Sequence, residues 1–124
     1  MISVPKGLLR LAALKMFTQA SLSGSDLQRE MKKFSGGVWT PGPGSIYFLL
    51  AELRKKELVA ELPQQEGTTR KYVITRKGRD ELAHLSSEVD REVRKQLELL
   101  ALYSRLAGNE ELHDRLREIP SGSA

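Results

Sequence analysis

The 124-residue sequence predicts a mainly α fold with one small β-hairpin. Helical periodicity recurs in five segments, whereas alternation of apolar and polar residues is confined to two short runs joined by a polar turn. A long C-terminal amphipathic stripe, stepping from Leu82 to Leu100, adds a helix far longer than the others.

The first helix is expected from about Pro5 to Gln19, where Leu8, Leu11, Ala12 and Phe17, with Leu9, Leu14 and Met16, form a broad apolar band. Pro5 suits a first helical turn, since it lacks only a donor that has no partner there. The band is too wide for a helix with one wet face, so it needs cover from its own domain and from a second subunit. A second helix begins near Ser23 to Ser25, with a hydroxyl to cap free amides and Leu27 and Met31 on its inner face, and runs out at Ser35, Gly36 and Gly37. The glycine- and proline-rich segment Gly36 to Gly44 reads as a loop, with Trp39 as a core anchor.

A third helix starts at Pro43 to Ser45 and places Ile46, Leu49, Leu50 and Leu53 inward, leaving Ser45, Phe48, Glu52, Lys55 and Lys56 outward. Leu58, Ala60 and Leu62 then alternate with Val59 and Glu61, and Tyr72 and Ile74 with Val73. The connection between these runs is too short for a helix, so they predict an antiparallel hairpin. Three helices followed by a hairpin is the winged helix-turn-helix order. From about Lys77 the long helix runs to a stop at Gly108, and its roughly 40 Å exceed what an ~80-residue head can cover. Its free stripe calls for the same helix of a second chain. Asn109 caps a last short helix that Pro120 ends. The expected division is a winged helix domain over 1–77, a helical dimerisation region over 78–120, and a disordered tail over 121–124.

Charge separates the same two regions. Residues 1–80 carry 14 Lys+Arg against 7 Asp+Glu, whereas residues 81–124 carry 6 against 9, so the basic head suits an anionic partner. The absence of cysteine excludes disulfides and thiol chemistry, and His84 and His113 have no second ligand at metal spacing; no metal and no cofactor is expected. No cluster of His, Ser and Asp or pair of carboxylates suggests an enzyme. No apolar run approaches a membrane span or a signal peptide, which predicts a cytoplasmic protein without membrane association.

Two stretches carry a more specific signal. Trp39-Thr40-Pro41-Gly42-Pro43-Gly44-Ser45-Ile46-Tyr47 resembles the recognition-helix signature of PadR-like transcriptional regulators, and Thr69-Arg70-Lys71-Tyr72-Val73-Ile74-Thr75-Arg76-Lys77-Gly78-Arg79 resembles that family's wing strand and following helix. With Lys6-Gly7-Leu8, Gly24 and Leu27, the resemblance covers roughly residues 6 to 85. It implies a homodimeric regulator, most often a repressor, whose recognition helix enters the major groove of double-stranded operator DNA while the wing meets flanking phosphates.

On that resemblance the DNA-binding residues are Ser25, Thr40, Gly44, Ser45, Tyr47, Phe48, Lys55, Thr68, Thr69, Arg70 and Lys71. Ser45, Lys55, Arg70 and Lys71 serve phosphates and the front of the third helix serves base edges. Dimerisation is expected through Leu8, Leu11, Leu85, Val89, Val93, Leu97 and Leu100. Some members of the family bind a small lipophilic effector in an aromatic-lined dimer pore; here the long helix offers only Tyr103. The sequence departs from the family pattern at three positions. Ser25 replaces a usual Tyr, Glu52 places a carboxylate where a base is common and would repel phosphate, and Glu57 replaces a helix-ending Gly, predicting a less regular helix end. Glu52 and the acidic C-terminal part motivate the alternative of a winged helix that binds a protein instead of DNA.

Overall fold

The structure is a computed structural model that describes residues 7–63 and 69–119. In chain order it comprises α1 (Leu8–Phe17), α2 (Gly24–Phe34), α3 (Pro43–Lys55), β1 (Val59–Glu61), β2 (Tyr72–Ile74), α4 (Arg76–Leu106) and α5 (Glu110–Arg117). It is a winged helix fold with a long C-terminal helix. Two compact units are present, one spanning Gly7–Ser86 and the other carrying the chain from Ser87 onward.

In the head, α1 begins after Gly7, whose φ of 85° is the left-handed conformation that glycine tolerates. Pro5, expected in the first turn, lies outside the described residues. Ala13, Leu14 and Phe17 of α1 meet Leu27 and Met31 of α2 and Ile46, Leu49, Leu50 and Leu53 of α3 in one core, with Trp39 packed half-buried against it. Ser23 starts α2 with a capping box: its hydroxyl accepts from the Asp26 amide at 3.1 Å, and the Asp26 carboxylate accepts from the Ser23 amide at 3.1 Å. The loop after α2 is held by Ser35, whose hydroxyl bonds both the amide and the carbonyl of Trp39, and by Gln28, which donates to the Pro41 carbonyl. These bonds lead the chain to Pro43 at the start of α3.

The end of α3 corrects the expectation of an irregular stop. The Leu58 amide donates to the Leu53 carbonyl at 2.9 Å and the Glu57 amide to the Arg54 carbonyl at 3.0 Å, which is a regular Schellman motif. Glu57 adopts the left-handed conformation, φ 62°, that glycine usually supplies. Gly36 and Gly108 end α2 and α4 in the same way without that steric cost.

The strands form an antiparallel pair with Val59 opposite Ile74, Ala60 opposite Val73 and Glu61 opposite Tyr72. Inward and outward positions differ from simple alternation: Leu58 and Val59 are both buried, and Ala60 and Leu62 are exposed. Leu58 belongs to the helix stop and not to the strand, which explains the shift of face. One further rung, made by a third segment of the chain, was not legible in the sequence. Leu22 and Tyr72 exchange backbone hydrogen bonds of 3.1 and 2.8 Å, tying the α1–α2 turn to β2.

The first turns of α4 complete this core. Leu85 is 6% exposed and buried in it, with Leu82 packed alongside. Leu85, grouped by periodicity with the dimer stripe, therefore offers its surface to the head instead, and Leu11 packs against the same core. The periodic stripe marks which side of α4 is apolar, not which neighbour covers each turn. In the second unit α4 leaves Val93, Leu99, Leu100, Leu102, Tyr103 and Leu106 exposed, while Val89 and Leu97 are half-buried and Ala101 is buried. Asn109 caps α5 by accepting from the Leu112 amide at 3.0 Å. Among the described residues no helix is long and apolar enough to cross a membrane, and no group of His, Asp or Glu could hold a metal.

Candidate nucleic-acid interface

Helix α3 lies on the surface with only its inner stripe buried. Its first residues, Gly44 and Ser45, are exposed, and the glycine at its N-cap supplies no side chain to bond the free amides. Those amides and the helix dipole are a favourable place for a phosphate oxygen. Tyr47 is 66% exposed and Phe48 75% exposed, so neither is a core residue, and Lys55 is exposed at the far end of the same helix.

Beside α3 lies a groove of about 280 Å³, whose lining includes Ser25 at the start of α2, Tyr47 of α3, and Thr69 and Arg70 from the segment leading into β2. Four predicted DNA contacts from three parts of the chain thus converge. Two features bring them together. A Cβ at Gly24 would stand 3.3 Å from the Leu50 side chain and 3.8 Å from the Tyr47 ring, so glycine lets α2 approach α3 closely. The Leu22–Tyr72 rung then draws the start of β2 against the start of α2.

The electrostatics of the wing rest on one carboxylate. Glu61 of β1 accepts from Arg54 of α3 at 3.2 Å and from Arg70 at 3.2 Å, holding two exposed guanidinium groups beside the groove. Arg54 and Glu61 were not singled out from sequence. Arg54 stands seven residues after Tyr47, two turns along the same flank of α3, and that spacing was the available signal. Lys71 is exposed next to Arg70, and its charge helps hold the Asp26 carboxyl below its ordinary range; the larger cause is the hydrogen bond from the Ser23 backbone amide.

Glu52 is a paired carboxylate on the flank of α3. It pairs with Arg10 of α1 and with Lys56 at 3.1 Å, and the Lys56 hydrogen bond is the main cause of its lowered pKa. The carboxylate expected to repel phosphate is thus paired with one cation from another helix and one from its own. Thr40 is exposed in the loop before α3 and does not line the groove. Thr68 lies outside the described residues.

The sequence pattern of the transcriptional regulator PadR-like family matches residues 13–84, more than half of the chain. The chain belongs to the PadR-like family. Solved structures resemble this PadR-like regulator over most of its length. A transcriptional regulator from Clostridium thermocellum has a TM-score of 0.69 at 17% identity, covering 77% of this chain and 93% of its own. A PadR-like transcriptional regulator from Bacillus cereus has a TM-score of 0.65 at 24% identity with the same coverage of 77% and 93%. Bacillus subtilis PadR in complex with operator DNA has a TM-score of 0.56 at 19% identity, covering 97% of this chain and 81% of that one. At these identities the likeness bears on the fold. No curated protein matches the sequence.

Proposed function

We propose that this PadR-like regulator is a sequence-specific DNA-binding protein that acts as a homodimeric repressor, occupying an operator so that the polymerase is blocked. The observation that carries the reading is the convergence of Ser25, Tyr47, Thr69 and Arg70 on one groove beside the uncapped start of α3. That surface joins hydroxyl and amide donors to guanidinium groups around one exposed helix, the combination a duplex requires. Bacillus subtilis PadR, solved in complex with operator DNA, shares this fold.

In this reading α3 enters the major groove, with Ser45 and Lys55 on phosphates. Arg70 and Lys71 follow the flanking backbone, and Ser25 and Tyr47 border the reading helix. On α4 the apolar stripe of Val89, Val93, Leu97 and Leu100, of which Val93 and Leu100 are exposed, supports a dimer that reads two half-sites about one DNA turn apart.

Titration of the purified protein against a duplex covering its own promoter, in low and moderate salt with random duplex competitor, tests this. Binding that survives competitor at two chains per site is expected. A basic head that ignores duplex at low salt would instead be a protein-binding winged helix.

A further inference from the structure

The chemistry of sequence reading is inscribed on one ridge of α3, and the inference drawn from it rests on the DNA-binding reading above. The buried Ile46, Leu49, Leu50 and Leu53 define the inner side of the helix. At about 100° per residue the opposite pole falls on Gly44, Phe48, Ala51 and Lys55, all exposed. Apart from Lys55 at the C-terminal end of the pole, the side chains able to form hydrogen bonds stand on the two flanks. Ser45 and Glu52 lie on one, with Glu52 occupied by Arg10 and Lys56; Tyr47 and Arg54 lie on the other, with Arg54 held by Glu61. The middle of the pole therefore offers no guanidinium or carboxamide for a bidentate pair with guanine or adenine. What it offers is a phenyl ring, 75% exposed to water, between a glycine and an alanine.

We infer that Phe48, projecting from the outward pole of α3 between Gly44 and Ala51, selects operator sites by apolar contact with a thymine methyl group. In the major groove that methyl is the apolar feature that distinguishes one base from the other three. The small residues on either side let the helix backbone come close enough for the ring to reach the base edges. Lys55 on the same pole and Arg54 on its flank suit a polyanion around the contact, which favours a duplex over an apolar protein groove as the occupant.

The test begins by enriching bound sequences from a random duplex pool with the wild-type protein, then replacing each shared thymine in turn by deoxyuridine. That change removes the methyl and keeps every hydrogen-bonding group. At one thymine per half-site the replacement is expected to weaken wild-type binding about four-fold, the effect of leaving one methyl unburied. Phe48→Ala, with an unchanged circular dichroism spectrum, is expected to bind the thymine duplex roughly ten-fold more weakly. It should bind thymine and deoxyuridine duplexes alike. Phe34→Ala, which removes another exposed phenyl from α2, should keep the wild-type difference. Indifference of the wild type to deoxyuridine at every position, or full discrimination by Phe48→Ala, overturns the inference while operator reading stands. A wild type that enriches no sequence overturns operator reading itself and the inference with it.

Discussion

The Thr75 hydroxyl donates to the Glu57 carbonyl at 2.7 Å and accepts from the Gly78 amide at 3.0 Å, so a single oxygen ties the stop of α3 to the start of α4. The end of α3 and the first turn of α4 are thereby held at the same hairpin. Thr75→Val keeps the shape and removes both bonds; a loss of about 1–2 kcal/mol in urea unfolding is expected.

Gly78 sits where no side chain fits. An added Cβ would lie 2.1 Å from the Leu58 carbonyl oxygen and 2.8 Å from the Ile74 side chain. Because the closest atom is backbone at the helix stop, the clash cannot be relieved by a rotamer change. Gly78→Ala should destabilise the head by about 3 kcal/mol or more despite alanine's better helix propensity. An unchanged urea midpoint would refute this packing.

Glu57 offers the opposite experiment. Its left-handed backbone costs roughly 1 kcal/mol relative to glycine, and its side chain is exposed. Glu57→Gly should raise stability by about that amount in the same unfolding assay, and should leave DNA affinity near the wild-type value.

At the wing, Arg70→Ala should weaken binding to all duplexes similarly and reduce the salt slope by about one. Glu61→Gln releases Arg54 and Arg70 together and removes a negative charge from the interface, so affinity for random duplex at low salt should rise. Filter binding across a salt series distinguishes both from a merely structural role, which would alter the unfolding midpoint and leave the slope unchanged.

The acid side of the stability profile reports on the capping box of α2. The Asp26 carboxyl is held below its ordinary value, chiefly by the Ser23 amide, so folding binds fewer protons there than the unfolded chain does. Its contribution is complete above the unfolded carboxyl's range and is lost as pH falls through the lowered folded value. Asp26→Asn should flatten the unfolding midpoint's dependence on pH in that acid window, with a small change near neutrality because the asparagine carbonyl can still accept from the Ser23 amide.

Helix starts, inner stripes and the glycine stops of α2 and α4 were legible along the chain because their determinants are local, whereas the regular stop at Glu57 was not. Ser23 and Asp26 lie three residues apart, Ile46, Leu49, Leu50 and Leu53 share one stripe, and Gly108 stands two residues beyond the end of its helix. The runs 39–47 and 69–79 that resemble the PadR-like family were likewise legible as contiguous segments. What needed the folded chain were relationships between distant residues. Arg10 reaches Glu52 across 42 positions, Leu22 pairs with Tyr72, and Glu61 gathers Arg54 and Arg70 from either side of it. A carboxylate in a linear sequence carries no mark of the cation it will meet, so along the chain Glu52 reads as an unpaired charge and nothing marks Glu61 as the partner of two arginines. The same holds for Leu85: a heptad-like spacing defines an apolar face, but only packing decides that this turn of it lies in the head's own core while the stripe beyond it stays open.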